Sequence, residues 1–318
     1  MDERLTIATL DSPSCPVGER LGSFIGSGHS SGLDIESIST DSLTNGLGLL
    51  ESGDADILAL PGGLVHGNMM EILQSGCKVV GARTPVRPYP VLVSDNKIQY
   101  LPGFAIILCD NKLNRRQLRR SRGGLRVLDS DAFASILGIE EGPSDPVMKA
   151  KWMEELRGAG EIDGFVIPRG IYEGANLVSR RHSLLPDGLN EGDPDFLPSA
   201  YSDLIVLLAR NRFPKSISKE ISEREGETCW WVQNSMLGSL DPEMLEKIGV
   251  LVRHRQVRSL IKQAEATRDL TLEQVCLDPD GEVIEDEVHV EIRLEFVSKD
   301  GARTIGLHRV IRLSLIHI

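Results

Sequence analysis

LPGFAIILCDNKLNRRQLRRSRGGLRVLD, Leu101–Asp129, is the stretch whose reading decides the fold. FAIILCD is a short apolar run of strand type, KLNRRQLRRSR reads as a helix, and LRVLD as a second strand. Strand, helix and strand in that order predict a crossover between parallel strands, and here they open a second α/β unit after the break at Leu101–Gly103. The same stretch holds Lys112, Arg115, Arg116, Arg119, Arg120, Arg122 and Arg126 in a chain whose formal net charge is -12. Seven of the 35 basic residues in one window make a local positive spot and not a groove, so the acidic balance argues against a nucleic-acid partner.

Working outward, the first hundred residues alternate LTIATL, CPVGERLGSFIGS, GLDIESIST, NGLGLLES, ADILAL, NMMEILQS, CKVVGAR and PVLVS, which is again an α/β pattern. Parallel sheets of this kind take ligands beyond the carboxyl ends of their strands, which directs attention to the loops TLDSPS, LPGGLVHG and ARTPVRPYP. Past the second unit, DLIVLLARNR reads as extended, Ile217 to Arg268 as a long helical region broken near SLDPE, and LEQVCLD with EVHVEIRLEFVSKDGARTIGLHRVI as an antiparallel meander. With 318 residues and 41% hydrophobic content, the chain has enough apolar mass for two or three domains. The five cysteines, Cys15, Cys77, Cys109, Cys229 and Cys276, form no CxxC pair and suggest neither a disulfide framework nor a metal site. There is no apolar run long enough to span a membrane and no secretory start, so the expected setting is the cytoplasm. The last six residues, LSLIHI, read as a translated sequencing adapter and are set aside from fold reasoning.

The order of these pieces resembles the hydroxymethylbilane synthase (porphobilinogen deaminase) family over roughly residues 5 to 210. LTIATLDSPS is similar to that family's opening strand and Thr-Arg-x-Ser-Pro loop, LLESGDADILAL to its Gly-x-x-Asp-Ile-Ala strand, and VVGARTPVRPYPVLVS to the stretch before its Leu-Val-Ser. LPGFAIILCDNKLNRRQLRRSRGGLRVL stands where that family has its arginine-bearing helix, and FLPSAYSDLIVLLAR where it has Leu-Pro-Ala-x-Gln-Gly. The resemblance implies two type-2 periplasmic-binding-protein-like α/β domains around a cleft plus a small α+β third domain. The boundaries expected are 1–100 with 196–225, then 101–195, then a shortened third domain at 226–312, with 313–318 left out. It also implies condensation of porphobilinogen into a linear tetrapyrrole on a covalent dipyrromethane cofactor, in a monomeric protein that takes a small polycarboxylate substrate and has no nucleic-acid or membrane partner.

The residues that the resemblance marks are few. Ser12 matches the loop serine, and Arg115 and Arg116 stand nearest the adjacent arginine pair. Cys276 is the candidate for holding dipyrromethane, although LEQVCLDPDG reads as a strand and not as the family's Gly-Gly-Cys loop. Arg83 and Arg87, on a proline-stiffened strand-end loop, are expected to contact anions. The family's catalytic aspartate is replaced by Gly63 and Leu64, leaving Asp11, beside Ser12, as the acid that would have to take its place. The expectation is therefore a synthase-like transferase with reduced or altered activity, or, as the alternative, a non-catalytic protein binding a small polycarboxylate on the same fold. His66, at a strand end, and the glycine-rich GSGHSSG around His29 are weaker candidates, for acid–base work and for phosphate. The acidic run DGEVIEDEVHVE reads as a solvated hairpin face, and no metal is expected.

Overall fold

The computed structural model describes residues 4–26, 33–139, 142–186, 195–284 and 287–315. The first part runs β1 (Arg4–Leu10), α1 (Val17–Gly26), β2 (Asp34–Thr40), α2 (Leu43–Ser52), β3 (Ile57–Pro61), α3 (Gly62–Gly67), α4 (Met69–Gln74) and β4 (Cys77–Arg83). The second runs β5 (Val91–Val93), β6 (Ile106–Leu108), α5 (Lys112–Ser121), β7 (Arg126–Leu128), α6 (Ser130–Ile136), α7 (Pro146–Gly158), β8 (Gly164–Ile167), α8 (Arg169–Gly174) and β9 (Arg181–Ser183). The chain returns through β10 (Ile205–Arg210) and α9 (Lys215–Ile221). It ends in α10 (Arg224–Leu237), α11 (Pro242–Leu245), β11 (Ile248–Gln256), α12 (Val257–Thr267), α13 (Leu270–Val275), β12 (Val288–Val297) and β13 (Thr304–Arg312).

Two five-stranded sheets repeat one design. The first has the order β2-β1-β3-β10-β4, with β10 antiparallel to both neighbours; the second has β7-β6-β8-β5-β9, with β5 antiparallel to both of its own. In each sheet the odd strand has crossed over from the other side of the cleft, so the chain passes twice between the two halves. These are two α/β domains of the type-2 periplasmic-binding kind, followed by a smaller α+β domain around the sheet β11-β12-β13. Strand β10, from the segment LPSAYSDLIVLLAR, pairs with β3 and β4, and Val91–Val93, read as the end of the first unit, is hydrogen-bonded into the second sheet.

The central strands β3 and β10 are buried on both faces, which is why ILALP and IVLLAR are nearly continuous apolar runs. On one face of that sheet Leu58, Leu60, Val206 and Leu208 continue through Trp230 of α10 into Val250, Val252, Val290 and Ile292 of the third sheet. The third domain thus shares an apolar core with the first. Its strand β11 lies inside the region read as helical, because the alternation of IGVLV ends in the polar RHRQ between two helices. Conversely, LEQV belongs to helix α13 and Cys276 is its C-cap, not a strand residue. Leu313 is buried against the shared core in a short turn, Leu313–Leu315, and residues 316–318 lie outside the described ones.

Towards the second domain the third domain presents polar groups, and these meet the arginine helix. Asn111 caps α5 by accepting from the Asn114 N–H, and Leu113, Asn114, Gln117 and Leu118 form its buried face. Gln117, fully buried, donates to the Leu197 carbonyl and to Glu295. Arg120 pairs with Glu295, Arg116 donates to the Val297 carbonyl and Arg119 to the Lys299 carbonyl. The turn between β12 and β13 lies so close that a Cβ on Gly301 would meet the Arg120 backbone nitrogen at 2.6 Å, and its φ of +77° is one that glycine adopts without strain. The acceptors that engage Arg116, Arg119 and Arg120 are the protein's own carboxylate and carbonyl groups.

Candidate functional site

Three of the strand-end loops singled out by the α/β pattern meet between the domains. Ser12 and Ser14 follow β1, Pro61 ends β3 with Gly63 and Leu64 just after it, and Arg87, Pro88 and Pro90 lie on the crossing from β4 to β5. From the other side come Asn111 and Asn114 at the start of α5, Pro168 and Arg169 after β8, and the return loop Ser199–Asp203. Together they enclose an inner chamber of about 410 Å³. An outer chamber of about 640 Å³ adjoins it, sharing Ser14, Arg87 and Asp203, with Arg20, Phe24, Arg83, Glu173, Glu220 and Glu223 among its walls. A further depression of about 790 Å³ at the opposite end of the first sheet, around Arg4, Arg210 and Phe213, draws on one domain only.

The crossing segment is held by carboxylates. Asp203 accepts from the N–H groups of Val86 (2.8 Å) and Arg87 (2.6 Å) and pairs with Arg20, while Glu223 accepts from the Thr84 N–H at 2.7 Å and pairs with Arg83. Arg20 also donates to the Thr84 and Asp203 carbonyls. In the return loop Tyr201 and Asp203 both have φ of +56°, left-handed values unusual for residues with side chains. Gln233 holds the Tyr201 N–H, and the Tyr201 hydroxyl lies 3.0 Å from His66 Nδ1. Backbone strain of this kind persists where surrounding contacts over-determine it, and here they fix the wall of the cleft.

Where the domains meet, Gly170 of α8 lies against the loop after β1. A Cβ there would stand 2.8 Å from the Ser14 carbonyl oxygen. Beside that contact, Arg87 and Arg169 both donate to one carboxylate, Glu173: Arg169 Nε to Oε1 at 2.9 Å and Arg87 Nη1 to Oε2. Two guanidiniums facing one carboxylate leave a positive charge at the partition between the chambers. Burial works against ionised Glu173, but the Arg169 hydrogen bond and the Arg87 charge outweigh it and hold its carboxyl below the usual range.

The structure separates the expected site residues. Ser12 and Arg87 line the inner chamber, and Arg83 lines the outer one, stacked on Phe24 and bound to Glu223 and the Ile221 carbonyl. Arg115 and Arg116 do not reach it: Arg115 is engaged by Asp129 and the Cys109 and Asp110 carbonyls, and Arg116 by the third domain. Asp11, the stand-in catalytic acid, lines neither chamber, and its Oδ1 accepts from the Gly18 N–H at 2.8 Å in the first turn of α1. His66 is paired with Tyr201, and His29 lies outside the described residues. Cys15, which does line the cleft, has its thiol pushed up to about 12 by burial and remains protonated at neutral pH. Arg20, Arg169 and Glu173 were not anticipated. PRGIYEG follows a strand just as TLDSPS does, so the strand-end rule applied to β8 points to Arg169.

Cys276 does not fit a dipyrromethane. It is 0% exposed among Val257, Leu260, Ala264 and Leu272, and burial pushes its thiol up. A linked dipyrrole would have no space there.

No family model matches the chain, and no curated protein matches it. The chain is similar in structure to a periplasmic substrate-binding protein of an ABC transporter from Coxiella burnetii, with 15% identity over 73% of this chain and 96% of that one and a TM-score of 0.35. It is also similar to an ABC transporter protein from Parabacteroides distasonis (13% identity, 83% and 79% covered, TM-score 0.39). A third is the periplasmic aliphatic sulphonate binding protein of Escherichia coli (12%, 77% and 74%, 0.36). None of these is a hydroxymethylbilane synthase. The expected membership of that family is therefore corrected, and with it the synthase-like transferase and the role in tetrapyrrole formation. Gly63 and Leu64 at the strand end, the engaged Arg115 and Arg116 and the enclosed Cys276 agree with that correction. The cytoplasmic setting is corrected too: the solved structures similar to the chain include a periplasmic protein and two lipoproteins. Among the described residues no helix is long and apolar enough to cross a membrane.

Proposed function

We propose that the chain is a non-catalytic binding protein that takes a small carboxylate-bearing molecule into the cleft between its two α/β domains. The observation carrying this reading is the convergence of Arg87, from the crossing segment, and Arg169, from the second domain, on a single carboxylate at the edge of a chamber lined by strand-end loops from both sheets. A guanidinium pair offers a carboxylate charge-assisted hydrogen bonds, and Ser12, Asn111, Ser199 and Ser202 offer neutral ones for the rest of the molecule. The 410 Å³ chamber suits a ligand of metabolite size. Among the described residues the inner chamber has no arginine besides Arg87 and Arg169, so the preference for polycarboxylates expected from four arginines narrows to a single carboxylate held by that pair.

Isothermal titration with acetate, succinate, citrate and the neutral amino acids tests this. At least one is expected to bind at one per chain, and Arg87→Ala or Arg169→Ala should each weaken it by about 1.5–3 kcal/mol, the usual loss for a hydrogen bond to a charged group. Arg116→Ala should leave the affinity as it was. Affinity unaffected by either cleft variant would sink the proposal.

A further inference from the structure

We infer that Glu173 is a built-in stand-in for the ligand's carboxylate, holding the Arg87–Arg169 fork until a ligand displaces it. The inference rests on the proposed anion-binding role of the cleft and names the residue that sets its affinity.

Glu173 receives one guanidinium on each oxygen, from two different parts of the molecule: Arg169 lies one turn earlier on α8, and Arg87 lies on the crossing segment. That is the arrangement a ligand carboxylate would take between the same donors. Asp203, the acid lining the inner chamber among the described residues, is engaged by Arg20 and by two backbone N–H groups, so it is not free to compete. The side chains of Arg87, Glu173 and Arg169 are 47%, 33% and 31% exposed, which leaves the fork reachable by solutes. Ion pairs this exposed hold weakly, so a ligand adding contacts to Ser12, Asn111 or Ser199 can outcompete the glutamate. A displaced Glu173 has somewhere to go, because it already forms part of the wall of the 640 Å³ outer chamber.

A tethered carboxylate competes at a local concentration far above that of a dissolved one, so removing it should strengthen binding of a free carboxylate by at least about tenfold. If Glu173 instead braces the two arginines for the ligand, its removal should weaken binding; the two roles predict opposite signs. The test follows the Arg169 Nε–Hε resonance of ¹⁵N-labelled protein during titration with sodium acetate at constant ionic strength. In Glu173→Gln the resonance is expected to saturate at an acetate concentration about tenfold lower than in the unaltered chain, and Glu173→Ala should shift it in the same direction. Equal or higher midpoints in both variants would overturn the inference. A resonance that acetate never moves in the variants would also overturn it, while the cleft reading would stand or fall separately on the calorimetric titration of the unaltered chain.

Discussion

Glu291→Ala is expected to lower the stability of the fold by about 3–5 kcal/mol, the range for removing one member of a buried ion pair. Glu291 is 1% exposed in the middle strand of the third sheet. It accepts from Arg253 Nε and Arg255 Nη1, both at 2.7 Å, and from His308 Nε2 at 3.0 Å. Without it, Arg253, Arg255 and His308 lose the carboxylate that they share on one side of β11-β12-β13. Because the other face of that sheet belongs to the core of the first domain, the loss should appear in the main unfolding transition. The same carboxylate sets an acid dependence. Burial alone would raise its pKa, but the hydrogen bonds from His308 and Arg253 and the Arg253 charge hold it far below the usual range. A group depressed in the folded state contributes stability above its unfolded pKa, about 4.3 for glutamate, and loses it as pH falls towards the folded value. Urea melts from pH 7 to pH 3 should therefore show stability dropping below about pH 5, with a smaller drop in Glu291→Gln. Parallel pH profiles for the two proteins would contradict this account of the third sheet.

Gly170→Val is expected to cost about a hundredfold in ligand affinity while changing the melting temperature little. A Cβ at this position stands 2.8 Å from the Ser14 carbonyl oxygen, and 3.0 Å from its carbonyl carbon, well inside ordinary contact. Since Ser14 belongs to the loop after β1 and Gly170 to α8, relief requires the two walls of the cleft to separate. Groups on both walls must then reach a ligand across a wider gap, and a misplacement of about 1 Å is enough for a loss of that order. The contact joins the loop after β1 to the first turn of α8 and involves no core residue, so folding stability should hardly register it. Calorimetry and a thermal melt on the same sample check both halves, and unchanged affinity would mean that the domains do not close on the ligand at this point.

The sequence makes the α/β units legible because their strands are short apolar runs between glycine, proline and acid-rich breaks, and a buried parallel strand has little choice but to look that way. It is less informative where pairing is distant. LRRSR announces positive charge, but the partners of Arg116, Arg119 and Arg120 lie more than 170 residues later, at Glu295, Val297 and Lys299, and no local pattern links them. The strand β11 was hidden for a similar reason: its apolar half suits a helix as well as a strand until β12 pairs with it. Of the cleft, the loops were legible from the strand-end rule, and Ser12 and Arg87 with them. Arg169 and Glu173 form a lone (i, i+4) pair that in sequence resembles any solvated helix surface, and only the crossing segment, by bringing Arg87 against them, makes them a fork.

The measurement that tests the central claim most directly is the affinity of the double variant Arg87→Ala/Arg169→Ala for the tightest-binding member of the carboxylate panel. With both guanidiniums gone, the account predicts a loss of about 3–6 kcal/mol, or roughly a hundredfold to more than ten-thousandfold, in a protein that still folds. An affinity retained within about threefold would contradict it, and would place the binding of small anions, if any, away from the cleft.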